Sequence, residues 1–436
     1  MPDGQRPGLT RQLGLRDLVF FNVSATISFR WLAVAAHNGP GSLVLWALGA
    51  AFFFVPLALV IARLTERFPQ EGGFYVWTRQ AFGDWHGFLC GWAYWLSNFI
   101  YFPSLLVFAG AMVLGEAGGP VFAFGVAVFW GASIALMVSP KAVRWIAAAG
   151  GACTYLSAAL LLVLAAAAGA RRFSGTAFDL VPSLELSKLA LWPQLAFGFQ
   201  GIELGAVMAE EIRDPKRTIG RAALIAGAAI GGFYIAGTAA ILTVLRPEQI
   251  SPVSGLSQIS RAIGDALGSP LAGDALLWLM LAALFGQLCS WILGNSRLPF
   301  VIGLDRYLPP AFGRLHPRWG TPWVSLLAQA AGGTLLALGL SAGETLRGTY
   351  YLLVDMTALL VFLPFLYLFA AAWKFGERIP AACGLAVTSI AIALSLAPPP
   401  ETRAVWLFEA KLLGGCALVV LAGFANYRYA RSVTGR

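Results

Sequence analysis

The sequence predicts an all-α polytopic membrane protein: twelve transmembrane helices in a single membrane domain. Two observations carry this reading. Of the 436 residues, 58% are hydrophobic and only 12% are charged, whereas a soluble domain carries roughly 25% charged residues. Apolar runs near the ~20 residues that a helix needs to cross a bilayer recur about twelve times. Strands of a membrane barrel would be about half as long and would alternate.

The runs fall at 18–36, 43–64, 87–114, 120–138, 143–168, 191–209, 222–245, 276–301, 324–340, 350–369, 381–396 and 406–427, numbered here spans 1 to 12. With the first residues in the cytoplasm, 21 of the 30 Lys and Arg fall in cytoplasmic segments and 8 outside, with Arg30 inside the membrane. That is the positive-inside orientation. An even span count returns Arg428, Arg431 and Arg436 to the cytoplasm. The net charge of +9 therefore reads as a topology signal and as contact with anionic membrane lipid. No basic cluster extends into a soluble domain, so no nucleic-acid partner is expected. Residues 1–17 are polar and basic, and no small-residue cleavage site follows span 1, so no cleavable signal is expected.

Span 1 is interrupted at Ser24-Ala25-Thr26-Ile27-Ser28-Phe29-Arg30. Arginine at mid-membrane costs about 2.5–3.5 kcal/mol on insertion scales, which makes Arg30 a functional residue by default. After span 2, Glu71-Gly72-Gly73 is a flexible turn, and Phe74, Tyr75, Trp77 and Phe82 then alternate with polar residues. This is a short amphipathic helix, either a moving inner gate or a passive interfacial connector. Span 3 carries Trp92, Trp95 and Asn98.

Span 6 is interrupted in the same way as span 1, at FGFQGIELG, residues 197–205. Its three glycines each weaken helix by about 1 kcal/mol relative to alanine, and Glu203 adds a buried charge. Behind it, Glu210, Glu211, Arg213, Asp214, Lys216 and Arg217 form a charge cluster, either a gate latch or a solvated face. Span 8 carries Gln287 and Ser290, and span 10 carries Asp355. Cys90, Cys153, Cys289, Cys383 and Cys416 all lie in spans without metal or redox spacing, and read as packing residues.

Two broken spans five apart imply a five-plus-five repeat, with the second copy inverted in the membrane. The first repeat covers about 15–170, the second about 190–374, and spans 11 and 12 follow at about 380–428. Secondary transporters built this way bind substrate at the midplane, where the broken helices expose backbone groups. Enzyme chemistry has little support. His37, His86 and His316 lie at span ends or in loops, and no HExxH, GxSxG or phosphate loop is present. No catalytic residue, metal ligand or cofactor is assigned.

Three ordered segments then carry a family resemblance. ERFPQEGGFYVWTRQAFG (66–83), FGFQGIELGAVMAEEIRDPKRTIGRA (197–222) and DRYLPPAFGRLHPRWGTPW (305–323) resemble signatures of the amino acid–polyamine–organocation (APC) superfamily. The resemblance implies a LeuT-like fold with broken helices 1 and 6. It implies a permease that moves amino acids across the plasma (inner) membrane by alternating access, coupled to protons or by exchange. Polyamines, other organic amines or organic anions are the alternative substrates, and a substrate sensor without flux is the alternative class. No disulfide-linked partner subunit is expected, because the loop at Glu116 to Pro120 lacks cysteine.

The substrate-binding residues implied are Ser24, Thr26, Ile27, Ser28 and Arg30 in span 1, and Phe197, Phe199, Gly201 and Glu203 in span 6. Glu203 is also the candidate proton carrier. Asp355, Gln287, Ser290, Trp95 and Asn98 either line the site or satisfy neighbouring backbone. One departure stands out: the family's glycine–small–glycine break in helix 1 reads Ser28-Phe29-Arg30 here. Arg30 then either pairs with Glu203 or Asp355, binds a substrate carboxylate, or snorkels to an interface.

Overall fold

A computed structural model gives the architecture, and it describes residues 13–70, 72–115, 118–183, 185–189, 192–207, 209, 212–341, 346–397 and 405–434. Helices α1 (Leu15–Thr26) and α2 (Phe29–Asn38) are the halves of span 1. Helices α3 (Ser42–Gly49) and α4 (Val55–Arg67) form span 2 on either side of a π-helical turn at Ala50–Phe54. Pro56 explains the widened turn, because its ring lacks an N–H and crowds the preceding carbonyls. Next come α5 (Phe74–Phe82), α6 (Asp84–Leu114), α7 (Gly118–Val138) and α8 (Pro140–Arg171). After α9 (Leu186–Leu189), the described residues of span 6 hold two short helices, α10 (Trp192–Phe197) and α11 (Leu204–Val207). The chain continues through α12 (Pro215–Val244), α13 (Gly255–Leu267), α14 (Pro270–Leu304), α15 (Trp323–Ser341), α16 (Leu346–Lys374), α17 (Arg378–Ser395) and α18 (Val405–Thr434).

Among the described residues, nine helices are long and apolar enough to cross a membrane, and the bent α1–α2 pair makes ten. The apolar part of α15, Trp323–Gly339, is shorter. Most spans extend past their apolar runs by a few polar residues, since backbone hydrogen bonding continues where hydropathy stops. Helix α13 is an addition that hydropathy misses. Leu256, Ile259 and Ile263 recur at helical spacing on its buried face, and Gly268 closes it in the left-handed conformation.

Burial ranks the helices. α6 is buried over 89% of its most apolar window and is the central pillar, whereas α18 is buried over 17% and lies at the periphery. The backbones of α8 and α14 touch where Gly150 meets Gly286. A methyl group built on Gly150 would lie 2.3 Å from the Cα of Gly286, so both positions exclude any side chain. The five cysteines are free, with Cys90 and Cys289 buried.

Helix α5 packs against α6 and α16 beside the end of α14. The turn before it uses positive φ at Gly72 and Gly73, which only glycine adopts readily. The sequence-predicted Glu71 of that turn, Glu210 and Glu211 of the charge cluster, and Glu116 lie outside the described residues. Arg213, Asp214, Lys216 and Arg217 are exposed.

Candidate functional site

The two broken spans meet at their breaks. Helices α1 and α2 are bent by 48°, with Ile27 and Ser28 extended between them. That unwinding frees carbonyls inside the protein, and a buried carbonyl needs a donor. Side chains from two other helices supply them. Gln287 Nε2 donates to the carbonyls of Ala25 and Ile27, at 2.9 and 3.0 Å, and Trp291 Nε1 donates to Ala25 at 2.8 Å. The Tyr234 hydroxyl lies 2.9 Å from the carbonyls of both Thr26 and Gly198, and accepts from the Ser28 N–H at 3.1 Å. Tyr234 therefore joins the two breaks directly.

In span 6 the residues 198–203 form turns rather than helix. Gly201 has φ +132°, and a methyl group on it would lie 2.6 Å from Thr26 Oγ1. Glycine is required twice here, for the dihedral and for the contact. Glu203 is 1% exposed and fully engaged. Its Oε1 accepts from the Tyr94 hydroxyl at 3.0 Å and its Oε2 from the Gly201 N–H at 2.8 Å.

Arg30 is the second residue of α2 and is also 1% exposed. Its guanidinium carbon lies 4.0 Å from the Trp31 ring centroid and 5.0 Å from that of Tyr101. Nη1 donates to Ser104 Oγ at 3.2 Å, and Nε has no partner. Phe197 completes an aromatic enclosure, with ring centroids 5.5 Å from Trp31 and 5.9 Å from Tyr101.

The ion pair expected between Arg30 and Glu203 is not formed. Arg30 reaches α6 at Ser104 and Glu203 reaches it at Tyr94. Those positions are separated by about 15 Å along the helix axis at 1.5 Å per residue. Asp355 is buried in α16 with interactions of its own, and no ion pair with Arg30 forms among the described residues.

The remaining candidates separate into two groups. Thr26 Oγ1 and Ser28 Oγ are buried at the breaks without a partner, with Ile27 buried beside them, and so is Oε1 of Gln200, which sequence reasoning did not single out. Ser24 instead bonds the Phe20 carbonyl, and Ser290 the Gly286 carbonyl, each within its own helix. Phe199 packs against Trp46, Phe54 and Tyr234. Trp95 packs against Trp92, Phe99 and Phe312. Asn98 donates to the Tyr94 carbonyl and to Asn295, which in turn reaches Gln329. Sequence reasoning missed Tyr94, Tyr101, Ser104, Tyr234, Trp291, Asn295 and Gln329. Tyr234 had a signal: a phenol in a small-residue span must find a partner.

Helix α5 sits on the same machinery. The Phe74 ring centroid lies 5.1 Å from that of Tyr94. Tyr75 donates to Asp305 Oδ2 at 2.6 Å, and Arg79 bridges Asp305 at 2.9 Å and Asp84 at 2.6 Å. Burial first, then the Asp305 charge, hold the Tyr75 phenol well above its usual pKa, so it stays a donor. Gly72 N–H reaches the Val207 carbonyl at the end of α11.

Comparison with known proteins fits this geometry. The amino acid permease family model matches residues 13–400. The chain is 27% identical over 440 residues to the uncharacterized transporter lpg1691 of Legionella pneumophila, covering 94% of this chain and 95% of that one. It is 24% identical to the serine/threonine exchanger SteT of Bacillus subtilis, over 74% of this chain and 76% of that one. The crystal structure of MhsT in complex with L-phenylalanine has the same fold, with a TM-score of 0.57 at 15% identity, over 96% of this chain and 100% of that one. The protein is thus a multi-pass membrane transporter rather than an enzyme, and the chain belongs to the amino acid permease family.

Proposed function

We propose that this chain carries amino acids across the plasma membrane by alternating access, with both termini in the cytoplasm. The observation that carries the reading is the contact between two helix breaks, with buried polar atoms of Thr26, Ser28, Arg30 and Gln200 left without partners beside it. Unpartnered buried polar groups are costly, and a bound polar substrate would satisfy them. The substrate contacts Thr26, Ile27, Ser28 and Arg30 from span 1, and Phe197, Gly201 and Glu203 from span 6. Ser24 and Phe199 support these from behind. Trp95, Asn98, Gln287, Ser290 and Asp355 shape the surrounding shell.

Two five-span repeats, about 15–170 and 190–374, rock against each other about the breaks, with the Gly150–Gly286 crossing of α8 and α14, which joins the two repeats, as the fixed pivot, and the helices at about 380–428 brace them. Glu203 is the carboxylate through which a proton would couple; exchange needs no such group. The similar proteins include both a serine/threonine exchanger and a probable agmatine/putrescine antiporter, so similarity supports an amino acid or amine substrate without choosing between them. Uptake and counterflow by the purified protein in liposomes, across all amino acids and several polyamines, tests the reading. Saturable flux of at least one amino acid is expected. Binding without flux would make the chain a sensor, and the absence of both uptake and counterflow for every compound would overturn the proposal.

A further inference from the structure

The two buried charges at the breaks are treated unequally. Both oxygens of Glu203 receive donors. Arg30 presents five N–H donors, yet among the described residues it makes one hydrogen bond, to a neutral hydroxyl, and its Nε has none. The Trp31 and Tyr101 faces attract the cation but supply neither a negative charge nor an N–H acceptor. Among the described residues no ion pair reaches it. A charge this buried calls for a counter-charge, and a planar fork of donors matches a carboxylate in shape.

The surroundings also disfavour a cation. The carbonyls of Ala25, Thr26 and Ile27, which a positive group would seek, already face Gln287, Trp291 and Tyr234. A fixed positive charge stands three residues away from Ile27, in a medium where like charges repel strongly. Neutral acceptors remain at Thr26 Oγ1, Ser28 Oγ and Gln200 Oε1. These suit the polar remainder of a substrate whose own charge is balanced or negative.

We propose that Arg30 is the carboxylate receptor of this carrier, and that it confines substrates to molecules with a free carboxylate and no net positive charge. The inference rests on the transport reading above and narrows it. Diamines and other amines lacking a carboxylate are excluded.

The test pairs each transported amino acid with its decarboxylated amine and its methyl ester as competitors, using the full chain in liposomes. The amine and ester should compete at least roughly tenfold more weakly than the acid, the value of one charged hydrogen bond. Arg30→Lys should raise KM by roughly tenfold or more through loss of the fork, with the melting temperature of the substrate-free protein little changed. Arg30→Gln should abolish the difference between acid and ester. Thermal stabilisation of purified wild-type protein by acids but not by esters reads the same preference without flux and without a variant. Equal competition by acid, amine and ester overturns the inference while leaving transport intact. So does uptake that requires chloride and is indifferent to Arg30→Lys, which would make an inorganic anion the partner. Absence of flux for every compound overturns the transport reading instead, and the stabilisation assay then still decides whether Arg30 receives a carboxylate.

Discussion

The Tyr94 hydroxyl donates to Glu203 Oε1 over 3.0 Å, and the same ring lies 5.1 Å from Phe74 of α5. One side chain thus touches both the break in span 6 and helix α5. Tyr94→Phe removes the donor and leaves a buried carboxylate oxygen unmet. The expected loss is about 1–3 kcal/mol of stability, read as a lower melting temperature, together with reduced uptake. Adding Glu203→Gln to Tyr94→Phe should restore part of the stability, because the stranded charge is gone. A Tyr94→Phe protein as stable as wild type would show that water serves Glu203 equally well.

Gly201→Ala meets two obstacles. Its φ of +132° is strained for any L side chain, and its methyl group would press on Thr26 Oγ1. We expect a cost of about 1–3 kcal/mol and loss of transport. Combining it with Thr26→Ala removes the collision but not the strain, so recovery should be partial. Full recovery would mean that the dihedral is relaxed and that only the contact matters.

Gln287 and Trp291 both donate to the Ala25 carbonyl. Shared partners make their effects non-additive. Trp291→Phe alone should cost about 1 kcal/mol, Gln287→Leu about 1–3 kcal/mol because it also strands the Ile27 carbonyl, and the pair together distinctly more than their sum. Strictly additive melting temperatures would contradict a shared acceptor.

The Asp305 carboxylate ties Tyr75 and Arg79 of α5 to the end of α14. Arg79 and Asp305 are partly exposed, at 33% and 24%, so the pair itself contributes about 1 kcal/mol or less to stability. The sensitive readout is opening rather than melting. Cys90 is wholly buried beneath α5, its Sγ 3.8 Å from the Phe74 carbonyl. Asp305→Asn should speed alkylation of Cys90, measured by mass spectrometry with the other four cysteines replaced. An unchanged rate would make α5 a passive connector.

Much of this was legible in the sequence. Hydropathy located ten of the twelve expected spans because bilayer thickness sets helix length; among the described residues, spans 6 and 9 are shorter than a crossing helix. The breaks showed because Gly198, Gly201, Glu203 and Gly205 crowd into one short stretch of span 6, and hydroxyls and an arginine into Ser24 to Arg30 of span 1, each combining small or polar residues with a charge inside an apolar run. The partners of those breaks were not legible. Tyr234 and Trp291 lie in other spans, and a period of 3.6 does not say which neighbour a side chain meets. Arg30 and Glu203 suggested a pair by opposite charge alone. What separates them is the register of both on α6, which only the assembled bundle defines. Phe197 and Phe199 look equivalent in sequence, yet two residues along an unwound segment send one ring to the Arg30 enclosure and the other into the packing around Trp46.

The meeting of Gly150 and Gly286 has a practical consequence. With no side chain between the backbones, there are no rotamers to exchange and no softer contact to slide into. The crossing of α8 and α14 is therefore a fiducial mark for the molecule. Spin labels placed on the outer faces of these two helices near the crossing should report one narrow distance distribution with or without substrate. Distances measured from that mark to α2, α5 or α11 then become a ruler for whatever the rest of the chain does.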